Sequence, residues 1–188
     1  MSSPIKLRNP VQKDDHSQGP EDTALMIVQY GDYQCSYCAM AHPILKKLRQ
    51  TFPKDLKFVF RHFPMTTIHP YAVIAAQAAE AAGLQGKFWE MHDTIYENQE
   101  TLDPDNLIQD AESLGLDPLQ FTNDMSSPAI EEKIDRDFYG GTRSGVDGTP
   151  SFFINGYRYD GDWSYPSLFR VLRLIQAQIS QEGMKKAG

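Results

Sequence analysis

Strand-like runs occur in only two parts of this sequence, and the long stretch between them carries helical patterning instead. "ALMIVQY" (residues 24–30) is a short apolar run of strand length before Gly31, which predicts a buried central strand. "LKFVFRHF" (56–63) alternates, is rich in β-forming residues and stops at Pro64. Residues 36–50 between them have helical spacing, with Ala41, Leu45 and Leu48 along one stripe. From about Tyr71 to Tyr139 almost everything reads as helix. "YAVIAAQAAEAAG" is alanine-rich and offers Gly83 as its terminator, and "KFWEMHDTIYENQ" follows it. Asp103-Pro104, Asp117-Pro118 and Ser127-Pro128 each put an N-cap oxygen before a proline at the first helical position. A missing N–H costs nothing there. Ile130, Ile134 and Phe138 then recur at every fourth position.

Strands return in "SFFINGYRYDG", where Asn155-Gly156 between two β-type runs is the strongest short-range hairpin signal in the chain. An amphipathic helix closes the sequence, with Leu168, Val171, Leu172, Ile175 and Ile179 on one face. The order is therefore arm, β-α-β, helical block, β-β-α. It predicts an α/β fold in which both ends supply one sheet and the helices are inserted between them. The expected units are an N-terminal arm (1–23, with at most one short strand), a first half (24–66), a helical insertion (67–145) and a second half (146–188).

A length of 188 residues suits one domain with such an insertion and can bury a real core. The formal net charge of -7 argues against nonspecific nucleic-acid binding, which needs cations to neutralise phosphates. No segment approaches the roughly 18 consecutive apolar residues of a membrane span. The first twenty residues lack the apolar core of a secretory signal. With only two cysteines there is no disulfide framework, and in a reducing cytosol such a pair points to chemistry or metal rather than a staple. The expected location is the cytoplasm, with neither nucleic acid nor membrane as a partner.

Both cysteines fall in "QYGDYQCSYCAMAHP" (29–43), directly after the first strand. Cys35 is expected in the first turn of the following helix, where free N–H groups and the positive end of the dipole favour a thiolate. Cys35 is then the exposed nucleophile and Cys38, one turn in, the shielded thiol that resolves a mixed disulfide. The plainer reading is a pair of small buried apolar residues. A structural zinc site needs four ligands. His42 lies one turn beyond Cys38, but neither His62 nor His69 shows ligand spacing, so no metal is expected. His16, His62, His69 and His92 read as structural or surface residues; His42, beside Pro43 on the redox helix, is the exception.

These motifs resemble the thioredoxin superfamily, which has a strand, Cys-x-x-Cys, a helix with a proline five residues after the second cysteine (here Pro43), and a cis-proline ahead of a later strand. "GTPSFFING" supplies Thr149-Pro150 for the last of these. The helical block between the halves is the DsbA-like arrangement. "FVFRHFP", "HPYAVIAAQAAEAAGLQGKFWEMHD" and "SGVDGTPSFFING" further resemble the bacterial DsbA-type domain that also occurs fused to sodium/proton antiporters.

The resemblance implies a thiol–disulfide oxidoreductase, with Cys35 and Cys38 catalytic and Thr149 and Pro150 at the substrate. It implies no cofactor beyond the redox-active disulfide, with glutathione a candidate co-substrate. The implied partners are protein dithiols or disulfides and glutathione or a thioredoxin-type reductant. Two departures bear on tuning. Gln29 stands where DsbA carries an acidic residue, and Ser36 and Tyr37 leave no histidine between the cysteines. With His42, these are the candidate tuning positions. Lacking a cation, Cys35 is expected to titrate at about 6 to 7, the upper half of the activated range, giving a moderate oxidant. Two other functions stay open: a redox-inactive, chaperone-like peptide-binding module, and a glutathione-dependent transferase or isomerase of the same superfamily. Relatives of the latter kind generally use serine, so the retained pair favours exchange.

Overall fold

The computed structural model describes residues 4–186. Its elements run β1 (His16–Gln18), β2 (Leu25–Gly31), α1 (Ser36–Thr51), β3 (Leu56–His62), α2 (Ala72–Leu84), α3 (Phe88–Glu97), α4 (Pro104–Ser113), α5 (Pro118–Met125), α6 (Pro128–Arg143), β4 (Ser151–Ile154), β5 (Tyr157–Tyr159) and α7 (Tyr165–Lys186). The five strands make one sheet in the order β1-β3-β2-β4-β5. β2 and β3 are parallel, as the intervening helix requires, and every other pairing is antiparallel. This is the expected α/β thioredoxin arrangement, with helices α2–α6 between the two strand-bearing halves.

β2 and β3 are covered on both faces, which is why they read as nearly continuous apolar runs. One face carries Ile27, Phe58 and Phe60 against α1, the insertion and α7. The opposite face carries Val28, Tyr30, Val59 and Phe153 against Phe63, Val146 and Phe138 of α6. Leu7 and Val11 of the arm pack against that second face. Buried Arg61 on β3 donates to the Asp15 carboxylate at 2.9 and 2.8 Å and to the carbonyls of Asn9 and Pro10 at 2.9 Å. A charged residue in a central strand is tolerated because its donors are spent on the arm.

The hairpin forms where expected. Asn155 (φ 48°) and Gly156 (φ 82°) both take the left-handed conformation of a type I′ turn. The Asn155 side chain also accepts from Met26 N at 2.8 Å and donates to Ala24 O at 2.9 Å, continuing the ladder past the end of β4.

Three local expectations are corrected. α2 does not stop at Gly83. It runs to Leu84 and ends at Gly86 (φ 78°), where Lys87 N donates to Ala82 O and Gly86 N to Gly83 O. That is a Schellman closure, and Gly83 is simply tolerated within the last turn. Asp103 and Asp117 accept from the third helical amide as N-caps should, but Ser127 makes no capping bond. Ile179 is exposed, because α7 extends past the core that Leu168 and Leu172 bury.

Candidate active site

β2 ends at Gly31, and the turn Asp32–Gln34 delivers Cys35 to the mouth of α1. Cys35 is the N-cap residue, one position earlier than expected, with extended backbone angles (φ -75°, ψ 119°). Its amide donates to Asp32 O, and its carbonyl accepts from the amides of Cys38 and Ala39. Both cysteines are free thiols. Cys38 is wholly buried, and Cys35 keeps only 6% exposure, less than a freely exposed nucleophile would have. The Thr149 carbonyl accepts from the Cys35 thiol at 3.3 Å. The Thr149–Pro150 peptide, just before β4, is cis, and Thr149 faces Cys35 through that carbonyl.

The turn is fastened from three sides. The buried Asp32 carboxylate accepts from Gln34 N at 2.8 Å, from Met65 N at 2.8 Å and from His69 Nδ1 at 2.7 Å. It therefore joins the β2–α1 turn to the loop after β3. The Gln34 side chain accepts from Tyr71 N at 2.7 Å. From the insertion, Gln99 Nε2 donates to the carbonyls of Tyr33 and Cys35 at 2.6 and 2.9 Å. Met65 sulfur accepts from the Thr149 hydroxyl at 3.7 Å. The sequence does not mark Asp32, Gln99 or Met65 for these contacts. Nothing local marks a glutamine after α3 as a support for a carbonyl far away in the chain.

The two thiols are driven apart in acidity. Cys35 is held down to about 5, first by the hydrogen bond from the Cys38 thiol, then by a side-chain hydrogen bond from Thr149 and the amides of Cys38 and Tyr37. Partial burial opposes this. So does the Thr149 carbonyl, since it accepts only from the protonated thiol. Cys38 is pushed well above the ordinary range by burial, and further by its hydrogen bond to Cys35. The expectation of about 6 to 7 is thus corrected downward. It credited the helix end alone, whereas the neighbouring thiol is the larger cause and the helix amides come after it.

Of the other candidate tuning positions, Ser36 and Tyr37 are exposed at the surface beside Cys35. Gln29 is buried at the centre of β2, opposite Phe60 and Phe152, with its Nε2 unpartnered. His42 is buried one turn below Cys38, stacked on Tyr96 with ring centroids 5.2 Å apart, and burial lowers its pKa. Tyr37 and Met40, with Ile68 and Tyr71 of the loop after β3, are the large apolar side chains exposed on these segments.

A strand, a Cys-x-x-Cys pair at a helix mouth, a cis-proline ahead of β4 and a helical insertion define a DsbA-like thioredoxin fold. Residues 11–173 match the thioredoxin family, and the chain belongs to it. It is 42% identical over 165 residues to a sodium/proton antiporter NhaA of Salinispora arenicola, covering 87% of this chain and 25% of that protein. It is 41% identical over 170 residues to the antiporter NhaA of Herminiimonas arsenicoxydans, covering 90% and 27%. The chain thus spans about a quarter of the length of these curated relatives. Among solved structures, a thioredoxin-like oxidoreductase of Silicibacter pomeroyi superposes with a TM-score of 0.80 at 24% identity, covering 88% of this chain and 94% of that one. Oxidised BdbD of Bacillus subtilis also gives 0.80, at 20% identity and 93% and 98% coverage. Among the described residues, no helix is long and apolar enough to cross a membrane.

Proposed function

We propose that the chain is a thiol–disulfide oxidoreductase in which Cys35 is the nucleophile and Cys38 the resolving thiol. The observation that carries this is the split in acidity: Cys35 is depressed to about 5 and Cys38 is raised by burial, within one turn of one helix. At neutral pH the first is a thiolate and the second keeps its proton, so only one can start the reaction.

Cys35 thiolate attacks one sulfur of a substrate disulfide. A mixed disulfide forms and one substrate thiolate leaves. Once Cys35 is consumed, the hydrogen bond and the negative charge that held the Cys38 proton are gone. Cys38 loses its proton and attacks Cys35 Sγ, and the second substrate thiolate leaves. The substrate gains two electrons, and the chain ends as the Cys35–Cys38 disulfide. Run backwards, the same steps oxidise a substrate dithiol. Glutathione or a thioredoxin-type reductant would return the pair to its starting state, and no cofactor beyond the disulfide is required. Thr149 offers a carbonyl, and Tyr37, Met40, Ile68 and Tyr71 offer exposed apolar contacts, which favours proteins as the thiol or disulfide substrates. The same surface supports the second reading, a peptide-binding module without redox turnover. A cytoplasmic setting stays part of the proposal, supported here by cysteine usage.

Insulin reduction in dithiothreitol tests it. The wild-type chain should accelerate precipitation of insulin chains, and Cys35→Ser should abolish the acceleration. Wild-type activity in Cys35→Ser would remove Cys35 from its role, and an inactive but peptide-binding wild type would favour the second reading.

A further inference from the structure

Below the cysteines, α1 and α3 bring together residues far apart in the sequence. His42 of α1 and His92 and Asp93 of α3 place three ligand-type atoms within 4.8 Å of one another, and among the described residues no other such group of His, Cys, Asp or Glu occurs. The His42 Nε2 atom is buried and has no hydrogen-bond partner, and it lies 3.5 Å from Asp93 Oδ1. Two ligands of one tetrahedral zinc ion, each about 2.0–2.2 Å from the metal, are separated by about 3.3–3.5 Å. The pair is therefore already at ligand spacing. His92 is fixed through its other nitrogen: Nδ1 pairs with the Tyr33 hydroxyl at 2.9 Å, which leaves Nε2 as the available donor. Holding a ligating imidazole by its second nitrogen is the usual support of a metal site.

We propose that His42, His92 and Asp93 form a binding site for Zn2+, with water completing the tetrahedron. Two imidazoles and one carboxylate suit zinc, whereas calcium and magnesium require oxygen ligands and copper(I) prefers thiolates. Lys46 Nζ now holds Asp93 Oδ2 at 2.9 Å and is the resident cation. Its side chain is partly exposed and can swing into solvent when a divalent ion arrives. Lys46 and Asp93 line an open surface hollow with Arg49 and Gln50, so the Asp93 side of the site borders solvent. Arg49 adds a further positive charge on that side but is turned onto the rings of Phe58 and Trp89. The bound ion would clamp the redox helix to the insertion, one turn below Cys38.

The test uses the untagged chain with Cys35→Ser and Cys38→Ser, because a reduced cysteine pair would itself take up zinc. Calorimetric titration with Zn2+ should give one ion per chain, and Co2+ should give the visible bands of a tetrahedral site. Tm should rise with Zn2+ concentration. Adding His42→Asn or Asp93→Asn should weaken binding at least about tenfold, and Tyr33→Phe by about 10–100-fold. Lys46→Met should tighten it. Circular dichroism establishes that each variant is folded, and buried His92 is left in place. The proposal is overturned if the folded chain takes up no Zn2+ saturably, or if binding is indifferent to both His42→Asn and Asp93→Asn.

Discussion

Cys35 owes its acidity to a neighbour that the sequence displays and to a contact that the sequence conceals. The Cys-x-x-Cys spacing and the preceding strand announce a helix-mouth thiol. They do not reveal that the Cys38 thiol is the largest single cause of the depressed Cys35 pKa. That dependence gives a prediction. Cys38→Ala should raise the Cys35 midpoint clearly above about 5, whereas Cys38→Ser, whose hydroxyl still donates, should raise it less. Both variants should accumulate mixed disulfides on incubation with a disulfide substrate, visible as adducts on non-reducing gels. Equal adduct yields in wild type would remove Cys38 from the resolving role. Asp32 and Gln99 illustrate what was not legible. Each supports the turn through bonds to residues distant in the chain, and a single sequence carries no trace of such pairings.

At the scale of the elements, the helix starts were legible because proline and an N-cap acid act within one turn. The stops were less so. Gly83 reads as the terminator, but the closing hydrogen bonds form from Gly86 and Lys87 instead. Asp117→Ala should cost about 1 kcal/mol in denaturant unfolding, and Asp103→Ala should also destabilise, since each removes a capping acceptor. Ser127→Ala should cost far less, because its hydroxyl caps nothing. Gly86→Ala should cost about 1 kcal/mol through the left-handed backbone, although the space beside it is open. Equal losses for all three caps would show that the proline, rather than the side-chain oxygen, sets these starts.

Across the whole molecule, a buried charge cluster joins sheet, arm and insertion. Glu80 of α2 pairs with His16 Nε2 at 2.9 Å and His62 Nε2 at 2.8 Å, and Lys133 of α6 lies 4.0 Å away. Burial alone would raise the Glu80 carboxyl, but the hydrogen bonds from His16 and His62 outweigh it and hold it well below the usual range. A depressed carboxyl contributes stability above its unfolded pKa of about 4.3 and loses that contribution as the pH falls toward the folded value. Glu80→Gln should therefore destabilise the chain by about 3 kcal/mol at neutral pH, and by progressively less in acid. A loss that does not shrink on acidification would mean that shape, not charge, is what Glu80 supplies. The sequence displayed the two halves and the insertion through their hydrophobic periods, but not the cluster that fastens them.

The account rests on Cys35 being a thiolate at neutral pH, and its ultraviolet thiolate absorbance against pH, with Cys35→Ser as the blank, measures that directly. The midpoint should lie at about 5. A midpoint near the unperturbed value of about 8.5 would contradict the account, because neither Cys38 nor the helix mouth would then be activating the sulfur.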